Sequence, residues 1–192
     1  MKVLDKQSDK RKAILEASLN LFCEKCFQET STASISQAAN VGTGTLFCYF
    51  ENKEELVNVL YLESKEEFAA HAETGVWEQT SFKTRLRQVF NNTMQWYQEN
   101  PRKIKFMSQF CSSSLITKVT REKALTRQRI ITEVIKKAVE DGEVSTPSVE
   151  LTSSLIAGYT HIAGTYLLDN AKEKDMKAWQ DAAFSLIWKG IS

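Results

Sequence analysis

Residues Ile35 to Leu56 read ISQAANVGTGTLFCYFENKEEL, and this stretch decides the fold. It predicts a helix of barely two turns, a tight turn, a second very short helix, and the capped start of a long helix. Ile35, Ala38 and Ala39 supply an inward face to the first helix, and Val41 and Leu46 look inward after the turn. Asn40 is the turn residue, because Asn tolerates the left-handed backbone that sharp turns need. The outward face of the second helix carries Thr43, Thr45, Phe47, Cys48 and Tyr49, with no acid among them. A short helix presenting small polar and aromatic groups is what a DNA major groove accepts. Asn52 then caps the next helix, with Glu55 three residues on, as in a capping box.

This stretch resembles the DNA-binding domain of the TetR family of transcriptional regulators. The resemblance rests on Ile35, Ala39, Val41, Gly44, Thr45, Leu46, Phe47, Tyr49, Phe50, Lys53 and Leu56. It extends back through Ile14, Leu15, Ala17, Leu21, Phe22 and Phe27, and so covers roughly the first third of the chain. It implies a three-helix DNA-binding head with a helix-turn-helix, joined by a long helix to a larger helical body that binds an effector and dimerises. Cys26 stands where the family usually ends helix one with glycine, and Asn40 where glycine is usual in the turn. Ala33 and Gly42 offer no side-chain hydrogen bond where relatives often place polar groups. These departures leave the fold expectation intact and bar borrowing a relative's operator sequence.

Composition agrees with an all-α regulator. Two prolines and seven glycines punctuate 192 residues, and apolar residues recur at helical spacing. The longest apolar candidate, Leu155 to Leu168, is broken by Gly158, Thr160, His161, Gly164 and Thr165, so no membrane span is expected. The polar N-terminus MKVLDKQSDKRK lacks the apolar core of a signal peptide, and four cysteines then suggest reduced thiols in a cytoplasm. The net charge of +1 is not a nucleic-acid signature. Placement matters more. Lys10, Arg11 and Lys12 cluster at the expected start of helix one, and Lys53 opens the fourth helix, the ends that this fold turns toward phosphates.

The periodicity predicts helices over Asp9–Lys25, Thr32–Ala39, Thr43–Phe50, Lys53–Glu73, a helix from Ser81 to Glu99, Lys103–Cys111, one long charged helix over Thr120–Asp141, Val149–Asn170 and Lys174–Lys189. The domain reading is a head over 1–52, a connecting helix over 53–75 and a body over 76–192.

Candidate DNA-binding residues are Thr32, Thr43, Gly44, Thr45, Phe47, Cys48, Tyr49 and Lys53. The threonines can meet base edges or thymine methyls, Phe47 and Cys48 offer apolar contact, and Tyr49 and Lys53 suit phosphate. A competing reading packs Phe47 and Tyr49 under helix one. In the last two helices Leu155, Tyr159, Ala163, Tyr166, Trp179, Ala183, Leu186 and Ile187 form stripes, with small residues such as Gly158 and Gly164 allowing close helix approach. Spacing alone favours core packing. The TetR resemblance implies instead a homodimer interface, a four-helix bundle that sets two heads on a palindromic double-stranded DNA operator.

Effector-site candidates are Trp96, Phe106, Met107, Phe110, Tyr159 and His161, which suit an apolar or aromatic molecule. Cys23 and Cys26 have CxxC spacing, but no second ligand pair accompanies them, so no metal or cofactor is expected. The chain has only two histidines, and with no paired-carboxylate motif or Ser/His/Asp set it is not expected to be an enzyme. Two functions remain open. One is a ligand-responsive DNA-binding repressor released by its effector. The other is a helical dimerisation or adaptor protein that has lost specific DNA binding.

Overall fold

The computed structural model describes residues 2–25, 27–127, 129–170 and 175–191. Among these the chain forms helices and no strand: α1 (Lys2–Glu24), α2 (Thr32–Ala38), α3 (Thr43–Tyr49), α4 (Lys53–Glu73), α5 (Phe82–Glu99), α6 (Pro101–Phe110), α7 (Lys118–Arg127), α8 (Ile130–Glu140), α9 (Val149–Asp169) and α10 (Met176–Lys189). The all-α expectation holds. The chain divides into two compact units, Met1–Lys65 with Arg102–Ala124, and Glu66–Pro101 with Leu125–Ser192. Helix α4 contributes its first part to one unit and its last turns to the other.

In the first unit α1, α2 and α3 pack together around Ile14, Phe22, Ile35 and Leu46, all fully buried. Ser31 caps α2 by accepting from the Ser34 amide at 3.0 Å. Asn40 has φ 54°, the left-handed turn expected of it. Asn52 caps the start of α4, its Oδ1 accepting from the Glu55 amide at 2.8 Å. The Glu55 carboxylate accepts from the Glu51 amide rather than returning to Asn52.

Three expectations need correction in this unit. Helix α1 begins at Lys2 rather than Asp9, so Lys10, Arg11 and Lys12 lie within it and not at its start. Arg11 is used internally, ion-paired with Glu63 and lying 5.6 Å from the centre of the Phe50 ring. On α2, Ala38 is exposed and Ser36 is buried instead. Ser36 tolerates burial because its hydroxyl donates to the Thr32 carbonyl at 2.9 Å.

Helix α6 and the start of α7 belong to this unit. Phe106 stacks on Phe22 at 6.2 Å and lies tilted against Phe110 at 4.8 Å, and Tyr61 of α4 closes the cluster at 6.5 Å from Phe106. Asn58 of α4 donates to the Leu115 carbonyl and accepts from the Thr117 amide, fastening the turn before α7.

The second unit is built from the end of α4 with α5, α8, α9 and α10. Its core includes Leu86, Phe90, Met94, Val134, Ile135, Ile156, Phe184 and Ile187. Ser81 and Thr84 form a true capping box at the start of α5. The single helix expected over Thr120–Asp141 is two helices. Ala124 is buried in the first unit and Ile130 in the second, so the boundary between the two units falls between them. No Gly or Pro marks that point, and Gln128 lies outside the described residues.

The two glycines of α9 play opposite parts. A Cβ on Gly164 would lie 2.5 Å from Cδ2 and 2.7 Å from Cε2 of the buried Tyr97 ring, whereas a Cβ on Gly158 would meet nothing within 4 Å. Gly164→Ala is therefore expected to cost about 1–3 kcal/mol by overpacking. That lowers the melting temperature by roughly 2–4 °C per kcal/mol in a chain of this size. Gly158→Ala should leave the melting temperature of the protomer level or raise it, since Ala favours helix by about 1 kcal/mol. Paired thermal melts check both.

Candidate DNA-binding site

The surface of α3 follows the sequence expectation closely. Leu46 is fully buried and pins the helix. Thr43, Gly44, Phe47 and Cys48 are exposed, Thr45 and Tyr49 half-buried, and Thr32 at the start of α2 half-buried. Phe47 is 49% exposed, which excludes packing under helix one. Tyr49 leans toward Phe50, with ring centres 6.5 Å apart. The exposed face from Thr43 to Cys48 carries no charge, so it can approach base edges without repelling phosphates.

Lys53 is placed differently from the expectation of a simple phosphate contact. Its ammonium donates to the carbonyls of Phe27 at 2.7 Å and Thr30 at 2.8 Å, and lies 4.0 Å from the centre of the Phe27 ring. It clamps the turn between α1 and α2 to the start of α4. Sequence reasoning missed this because the partners are backbone carbonyls more than twenty residues away. Lys53→Ala is accordingly expected to lower the melting temperature as well as DNA affinity, since a hydrogen bond from a charged donor is worth about 1.5–3 kcal/mol. A contact to phosphate alone would lower the salt slope of binding by about one unit and leave the melting temperature unchanged.

Cys23 is half-buried and its thiol donates to the Arg102 carbonyl at 3.2 Å. Cys26, the other half of the CxxC and the departure from glycine, lies outside the described residues. Among the described residues no group of three or more His, Cys, Asp or Glu is arranged to hold a metal ion.

Residues 14–60 match the family model for bacterial regulatory proteins of the tetR family. A solved tetR-family transcription regulator from Shewanella sp. PV-4 is 31% identical, with TM-score 0.84, over 95% of this chain and 97% of that one. The chain belongs to the TetR family of transcriptional regulators. Its function is that of a DNA-binding transcriptional regulator. The fatty acid metabolism regulator protein of Bacillus subtilis (strain 168) is 21% identical over 93% of each chain. The structure of the transcriptional regulator FadR from Bacillus subtilis in complex with stearoyl-CoA is 20% identical, with TM-score 0.79, over 94% of this chain and 99% of that one.

The effector-site candidates of this TetR-family chain are shared between the two units. Phe106, Met107 and Phe110 are buried in the first unit, filled by the aromatic cluster around Phe22. Trp96, Tyr159 and His161 belong to the second. There Phe68 of α4 lies 5.1 Å from Trp96 and 6.0 Å from Tyr97, and the Tyr97 hydroxyl is hydrogen-bonded to His161 Nδ1 at 2.8 Å. Burial pushes the Tyr97 hydroxyl well above the ordinary phenol range, so it stays protonated. Tyr159 is exposed and takes no part in this chain of rings.

The expected interface residues also divide. Leu155, Tyr159, Tyr166, Trp179 and Leu186 are exposed, Ala163 and Ala183 half-buried, and Ile187 is 5% exposed and faces the core. Leu151 and Ile162, absent from the sequence reading, complete the outward stripe, and Ile162 is 68% exposed. Their spacing with Leu155 at i, i+4 and i+11 could have identified them. Tyr166 and Trp179 meet at 5.8 Å and join the stripes of α9 and α10 into one apolar surface.

Proposed function

We propose that this chain is a homodimeric repressor that binds a palindromic operator in the cytoplasm and leaves it when a small apolar molecule occupies its body. The observation that carries the reading is the joined apolar surface of Leu151, Leu155, Ile162, Tyr166, Trp179 and Leu186. A contiguous apolar patch of this kind marks an interaction site, and in a two-fold dimer the same patch of each copy meets that of the other. Residues 1–52 then serve as the reading head, 53–75 as the connecting helix and 76–192 as the effector and dimerisation body. Thr43 and Thr45 read bases, and Phe47 and Cys48 offer apolar contact.

The first effector class to test is a long-chain fatty-acyl thioester. The support is the likeness to a fatty acid metabolism regulator and to FadR with stearoyl-CoA. The packed aromatic row Phe68, Trp96 and Tyr97 is the apolar cluster nearest in kind to such a chain, and it includes a residue of α4 itself. A ligand wedged against Phe68 would tilt α4. Because α6 shares a compact unit with the head, its movement accompanies that of the recognition helix in this scheme.

Selection of genomic fragments by the purified chain tests the reading. Enrichment of an inverted repeat is expected. Its recognition should shift among operator variants in Thr43→Ala or Thr45→Ala, while random-DNA binding stays level. Recovery of fragments without any common sequence would favour the adaptor alternative.

A further inference from the structure

A groove of about 400 Å³ lies between the first half of α5 and the side of α10 turned away from the apolar surface assigned above. Lys83 and Arg87 come from α5, and Asp181, Phe184, Ser185 and Trp188 from α10. Each cation sits over an aromatic ring: the Lys83 ammonium 5.1 Å from the Trp188 ring centre, the Arg87 guanidinium 4.6 Å from that of Phe184. Arg87 is also ion-paired with Asp181. The groove thus holds two cations and one carboxylate.

Helical spacing keeps this groove clear of the apolar surface. Asp181, Phe184, Ser185 and Trp188 fall at i, i+3, i+4 and i+7 on one side of α10, while Trp179, Ala183 and Leu186 fall on the other. The groove does not depend on the bare end of α5. The Phe82 amide there already donates to Glu143 and the Thr84 amide to Ser81.

We propose that the α5–α10 groove is a second ligand site, for a planar aromatic acid whose ring lies along the partly exposed Trp188 and whose anionic group is held by Lys83 and Arg87. Apolar walls with a few convergent charges are the usual makeup of a small-molecule site, and the volume lies within the usual range of about 300–1,000 Å³. The unbalanced positive charge selects an anion over a neutral ring. Arg87 offers a planar fork to a carboxylate, and the ligand competes with Asp181 for it. This site is separate from the effector site proposed above and stands without it.

The test is calorimetric titration of the full chain with 2-naphthoate and with its uncharged counterpart 2-naphthamide. Naphthoate is expected to bind about tenfold or more tightly than the amide, as a charge-assisted contact requires. Lys83 is exposed, so Lys83→Ala should fold normally. It should weaken naphthoate binding at least about fivefold and leave the amide unchanged. Trp188→Ala should weaken both, and Trp188→Phe should keep naphthoate binding while removing its quenching of tryptophan fluorescence. Equal binding of acid and amide, naphthoate affinity unmoved by Lys83→Ala, or no naphthoate binding at millimolar concentration would each overturn the proposal.

Discussion

Ile162→Glu is expected to convert the regulator into a monomer and to weaken operator binding by about 10³-fold or more, the usual gap between specific and non-specific DNA affinity. Ile162 is 68% exposed in the protomer, so the substitution leaves the fold of the single chain undisturbed. In the proposed dimer it would bury two carboxylates, one uncompensated charge per subunit, each costing several kcal/mol. It also removes an apolar side chain whose burial is worth about 1.5–3 kcal/mol. A monomer carries one α3 and reaches one half-site, so the operator is held no better than random DNA. Sedimentation and gel shift on the same preparation check the two halves of the prediction together. A variant that stays dimeric would move the interface elsewhere, and a monomer with full operator affinity would remove the need for one.

The second large effect is release by the effector. Saturating stearoyl-CoA is expected to lower operator affinity about 100-fold, or 2.7 kcal/mol of coupling between the two sites. Geometry makes this sufficient. Helix α4 has 21 residues and is about 31 Å long. A tilt of a few degrees at its body end becomes a few ångströms at the head, while two recognition helices must sit roughly 34–36 Å apart, or a multiple of that, to enter successive major grooves. Linkage requires the reciprocal result, that operator DNA weakens stearoyl-CoA binding by the same factor. Phe68→Ala should reduce both couplings, and Trp96 fluorescence should report occupancy. Tight stearoyl-CoA binding with operator affinity unchanged would remove the switch and leave a constitutive DNA-binding protein.

What could be read in the sequence was what is local. The turn at Asn40, the caps at Ser31 and Asn52, and the inward Leu46 each depend on residues within four positions, and their chemistry is written in the residue types. What could not be read depends on distant partners. Lys53 looks like a surface cation until the Phe27 and Thr30 carbonyls are placed beside it. Phe106 and Phe110 repeat at helical spacing whether they line a pocket or pack against Phe22. Gly158 and Gly164 are alike in sequence, yet only Gly164 is pressed against a ring. The break between α7 and α8 carries no Gly or Pro, and it falls near the boundary of the two units, which local sequence does not mark. The outward stripe of α9 was half legible, since periodicity marks an apolar face without saying whether the chain's own core covers it.

The central claim is that two copies of this chain hold two half-sites through α3. The most direct measurement is footprinting of a selected operator fragment, with the stoichiometry of the same complex read by sedimentation. Expected are two protected major-groove patches one helical turn or a multiple of it apart, related by an inverted repeat and holding two protomers, or a whole number of such pairs. A single protected patch bound by one protomer, or uniform protection without sequence preference, would contradict it.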